Sequence, residues 1–203
     1  AAIKHAWQAS RHDGIAAIVT FVVTLAAAPH LDNGILAGAG LAILLYLLRT
    51  INPRVAILGR HPDGTLRDAR LHKLPASEIV TAVRFDGRLY FANVAYFEDA
   101  ILEAVAANPK ARWLLVVGEG INELDASGEE VVHHLVERLR SNGVNMVFSG
   151  LKKQVLDVMR ATGLYAAIGG NNFYITADRA LEAISAEIAA QGIEGAFCLL
   201  PQR

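Results

Sequence analysis

The stretch Leu124-Asp125-Ala126-Ser127-Gly128-Glu129-Glu130 holds residue types that start a helix, and it follows a short apolar run at 113–117. Ser127 with Glu130 fits a capping box, in which the serine hydroxyl accepts from the amide three residues on and the glutamate reaches back. A second reading uses the same place. The free amides and the dipole of a helix N-terminus after a parallel strand favour an anion or a phosphate. The sequence chemistry favours the cap. His133 and His134 stand four residues after Glu129 and Glu130, a spacing that puts two ligands on one helical face. Both pairs point away from the stripe of Val131, Leu135 and Leu139 and lack a third ligand, whereas zinc takes three or four, so they read as a solvated face. Gly118-Glu-Gly120 has no phosphate-cradling lysine and reads as a turn. Ser149 before Gly150 lacks the flanks of a nucleophile elbow and an assignable histidine. Catalysis, a metal site and a cofactor are therefore not expected. The single cysteine, Cys198, excludes an internal disulfide and suits a reducing compartment.

Alternating short elements must position these residues. The run 55–59 reads as a first strand, and His61-Pro-Asp-Gly64 has turn chemistry, followed by a polar stretch to Pro75 without periodicity. Ile79, Val80, Ala82, Val83 and Phe85 read as a strand. Asp86-Gly87 is a two-residue hairpin signal, with 89–92 as the returning strand. Phe97, Ile101, Leu102 and Val105 then recur at helical spacing, and 113–117 is a continuous apolar strand covered on both faces. A helix through the Val131 stripe and a buried strand over 144–148 follow. Next come a helix over 151–161 capped by Ser149 and ended by Gly163, a strand over 173–175 and an amphipathic helix over 177–190. Strands alternating with helices imply an α/β fold with a mainly parallel sheet, made mixed by the early antiparallel part.

The N-terminal quarter differs from this rhythm. Two apolar runs, 14–28 and 34–48, contain one formal charge between them, Asp32, in the break Pro29-His30-Leu31-Asp32-Asn33. They predict a transmembrane helical hairpin, about 14–28 and 34–49, within a membrane segment 1–54 that precedes a domain over 55–203. Each run is shorter than the ~20 residues that span a ~30 Å hydrocarbon core. Lys4, Arg11, Arg49 and Arg54 flank the runs on one side, as the positive-inside tendency asks. Gly34, Gly38 and Ala42 lie one turn apart and suit close helix contact. The alternative is a helical hairpin buried in a larger soluble core. Residues 55–203 hold fifteen Lys or Arg against eighteen Asp or Glu, a balance that argues against a nucleic-acid partner.

Asp125-Ala-Ser-Gly128, Asn142-Gly-Val-Asn-Met-Val-Phe-Ser-Gly150 and Val155-Leu-Asp-Val-Met-Arg-Ala-Thr-Gly-Leu164, in that order, resemble the STAS domain. Phe85-Asp-Gly-Arg-Leu-Tyr-Phe-Ala-Asn93, with Gly87, Tyr90, Phe91 and Asn93 as its structural motif, is similar to the strand pair of STAS domains in SulP anion permeases. Residues 14–60 likewise resemble the last two membrane helices of those transporters. The resemblance implies the C-terminal portion of a secondary transporter of sulfate, bicarbonate or related anions in the inner (plasma) membrane. Its STAS domain would be a cytoplasmic regulatory, targeting or assembly module. The implied partners are the membrane, the remaining transporter helices, a second copy in a homodimer and a protein partner of the STAS domain. Asp125, Ala126, Ser127 and Gly128 are the implied regulatory or ligand loop. In the related anti-sigma factor antagonists the residue after the aspartate is phosphorylated; here it is Ala126, which has no hydroxyl, so Ser127 is expected to be a cap and not a phosphosite. The alternative from this resemblance is a membrane-tethered signalling module of the antagonist type, binding nucleotide or a protein.

Overall fold

The computed structural model describes residues 11–26, 31–195 and 197–200. The chain divides into two compact units, Ala1–Asn52 and Pro53–Arg203.

The first unit is a pair of helices, α1 (Arg11–Ala26) and α2 (Leu31–Ile51). They meet closely where Gly38 faces Thr20: a Cβ on Gly38 would lie 2.6 Å from the threonine methyl. Thr24 Oγ1 returns a hydrogen bond to the Thr20 carbonyl at 2.7 Å, which satisfies its hydroxyl inside an apolar helix. Residues 31–33 belong to α2, so Asp32 lies in the first turn of a helix rather than in the expected break. Pro29 and His30 lie outside the described residues. The expected transmembrane hairpin is found as a hairpin, but among the described residues no helix is long and apolar enough to cross a membrane. The 16 residues of α1 reach about 24 Å.

The second unit is an α/β sandwich on a six-stranded mixed sheet with the order β2-β1-β3-β4-β5-β6. Its strands are β1 (Arg54–Arg60), β2 (Leu66–Asp68), β3 (Val80–Asp86), β4 (Trp113–Val117), β5 (Asn145–Ser149) and β6 (Phe173–Tyr174). β1 pairs antiparallel with both β2 and β3, and the remaining ladders are parallel. The helices are α3 (Ala69–His72), α4 (Val94–Ala106), α5 (Ala126–Ser141), α6 (Lys153–Ala161), α7 (Leu164–Ile168) and α8 (Ala177–Gln191).

Period-two alternation divides the core. Leu114 and Val116 of β4 face α4, α5 and α6 together with Phe85 and Phe148, against Phe97, Ile101, Leu135 and Met159. Leu115 and Val117 face the other way with Leu58 and Val80, against Leu181 and Ile184 of α8 and Leu199 of the tail. Each fully buried side chain of this size contributes about 1.5–3 kcal/mol, and continuous apolar strands are what a two-sided sheet requires.

Three local expectations are corrected. Residues 89–92 do not return as a strand, because β3 already has β1 on one edge and β4 on the other. Leu89 forms one isolated parallel bridge to Leu124, and the chain turns directly into α4. The polar stretch 65–75 holds β2 and α3, both too short for periodicity to show. Asp68 caps α3 by accepting from the amides of Arg70 and Leu71, and Gly59 leaves room for Leu74, whose Cβ would lie 2.7 Å from a Cβ there. Finally, α6 starts at Lys153 without a side-chain cap, and Ser149 ends β5 instead, its hydroxyl buried and without a partner among the described residues.

Candidate functional site

The parallel pairing of β3 and β4 brings the segments that follow them to the same end of the sheet. There the two stretches singled out in the sequence, 85–93 and 125–128, meet. The Leu89 amide donates to the Glu123 carbonyl at 2.9 Å and the Asp125 amide to the Leu89 carbonyl at 3.1 Å, a short parallel ladder that fixes their register.

Asp125, rather than Ser127, is the N-cap of α5. Its Oδ1 accepts from the Gly128 amide at 2.8 Å, and its Oδ2 accepts from the Phe91 amide at 2.9 Å. One carboxylate thus ties a helix start to a loop 34 residues away in sequence. With Asp125 as the cap, the third helical position is Gly128 and no glutamate stands where a capping box needs one. Gly128 is required there for space: a Cβ would lie 2.7 Å from the Leu89 carbonyl oxygen and 2.9 Å from Leu124.

Asn93 organises the rest of the loop from a buried position. Its Nδ2 donates to the Arg88 carbonyl at 2.7 Å and its Oδ1 accepts from the Tyr90 amide at 3.1 Å. Gly87 admits Pro53, whose Cβ would be 2.8 Å from a glycine Cβ. Arg88 pairs with Glu123 at 3.3 Å, joining the two segments again. On this frame the Tyr90 and Phe91 rings meet edge to face at 5.3 Å, and Phe91 is 71% exposed.

This arrangement presents a surface. The first-turn amide at Gly128 that an anion would use is already taken by Asp125, which also places a negative charge there. His133 lies between Glu129 and Glu137, at 3.7 and 3.6 Å, along one face of α5. Among the described residues no group of three His, Cys, Asp or Glu could hold a metal. Gly118-Glu-Gly120 forms a turn, closed by the Ile121 amide on the Gly118 carbonyl at 2.9 Å. A separate groove of about 430 Å3 lies over β1, between α3 with Leu74 on one side and Tyr96, Ala100 and Glu103 of α4 on the other. None of the residues picked from the sequence lines it.

Arg60 had no sequence signal. It is buried at the end of β1, where Nε donates to the Leu199 carbonyl at 2.7 Å and Nη1 to the Gly64 carbonyl at 2.7 Å. Its Nη2 pairs with Asp178 at 2.6 Å.

A STAS domain model matches residues 73–180. Probable sulfate transporter 4.2 of Arabidopsis thaliana is 26% identical over 189 residues, covering 87% of this chain and 28% of the relative. Sulfate transporter 4.1, chloroplastic, of the same plant is 21% identical over 201 residues, covering 93% and 29%. This chain therefore spans under a third of the length of these relatives. The murine Solute Carrier 26 family member A9 anion transporter shares the fold, with a TM-score of 0.80 and 17% identity over 90% of this chain and 30% of that one. With its matched domain covering more than half of the residues, the chain belongs to the STAS domain family.

Proposed function

We propose that this chain is part of a secondary inorganic-anion transporter of the sulfate or bicarbonate class. Its helical hairpin would stand among other membrane helices, and its STAS domain would act on the cytoplasmic side as a regulatory, targeting or assembly module. One observation carries this reading. Similarity to sulfate transporters runs through 87% and 93% of the chain, so it takes in the hairpin as well as the 73–180 domain. A tethered signalling module of the antagonist type would share the domain alone.

The hairpin's surface supports the same reading. Phe21, Leu25, Ile35, Leu36 and Ile43 are all more than half exposed, a surface that lipid tails or neighbouring helices would cover. At about 24 Å, α1 falls short of a ~30 Å hydrocarbon core, so the hairpin would insert with neighbours rather than alone. In the STAS domain, Asp125, Ala126 and Ser127 beside the exposed Phe91 make the surface that a protein partner would read, with the buried Gly128 letting the loop pack beneath it. Asp125 holds that surface rigid, which lowers the ordering cost of binding.

The test is uptake of labelled sulfate and bicarbonate into vesicles by the full-length protein, with and without residues 53–203. Uptake of one of these anions that changes in rate, or in amount of assembled protein, on deletion is the expected result. No uptake of either anion by correctly inserted full-length protein would overturn the transport reading; unchanged uptake and assembly after deletion would overturn the modulatory role.

A further inference from the structure

We draw no further inference here: the strongest candidate, the largely apolar groove of about 430 Å3 over β1 between α3 and α4, carries nothing because nothing in the structure shows what covers it.

Discussion

Asp125 does two jobs with two oxygens, and the residues around it separate them. Asp125→Ala removes the α5 cap and orphans the Phe91 amide, so unfolding by urea should show a loss of about 1–3 kcal/mol. Ser127→Ala should stay within about 0.5 kcal/mol, because Ser127 lies inside the first turn and caps nothing. Equal losses in the two variants would refute the assignment of the cap. A second carboxylate makes a pH-dependent statement. The Leu71 amide, aided by Arg54 and the Arg70 amide, holds Asp68 below the ordinary carboxylate value, and the Thr65 hydroxyl and amide do the same for Asp63. A depressed folded value stabilises above the ordinary value of about 3.9 and is lost as pH falls through the folded value. The stability gap between the wild type and Asp68→Asn should thus be larger at about pH 6 than at about pH 3. A gap that does not narrow on acidification would show that α3 does not depend on the ionised cap.

At the scale of elements, Arg60 fastens three segments at once: the 61–64 turn, the first turn of α8 and the C-terminal tail. Both Arg60 and Leu199 lie outside the matched residues 73–180, so this clasp joins the flanking segments to the family domain. Arg60→Met should lower stability by about 3 kcal/mol, since bonds from a charged donor contribute about 1.5–3 kcal/mol and the buried Leu199 carbonyl loses its donor. Amide exchange should accelerate first at residues 197–200 and at the start of α8; uniform acceleration across β3–β5 instead would mean that the clasp is not local.

The same scale explains what could be read in advance. β4 and β5 were legible because burial on both faces makes each a continuous apolar run, and α4, α5 and α8 because one buried face repeats with the helical period. The returning strand was misread because Asp86-Gly87 reports only its own turn chemistry, while pairing depends on which strand edges stay open. β2 and α3 run for 3 and 4 residues, too few for any period. The candidate loop was found as two motifs, yet the bond from Phe91 to Asp125 that joins them has no sequence signal, because it depends on the parallel neighbours β3 and β4.

For the whole molecule, the two units should behave differently toward water, and each unit's surface says how. In Pro53–Arg203 the large apolar side chains are mostly inside, with Leu71, Phe91, Tyr96 and Ile175 as scattered exposed exceptions. Single exposed residues of this kind are normal for a folded domain. In the hairpin the pattern inverts. Ile15, Val22, Leu25, Leu36, Ile43, Leu44 and Leu48 are exposed along both helices, while the contact between helices is made by small residues such as Gly38. Burying apolar area yields about 25 cal/mol per Å2, so a helix pair that leaves so much outside gains little from folding in water by itself. The whole chain should therefore need detergent or a bilayer to sediment as a single species, and residues 53–203 should sediment as one species in plain buffer. A monodisperse whole chain in plain buffer would show that the hairpin covers its apolar surface without lipid, and it would remove the physical basis for placing the hairpin among membrane helices.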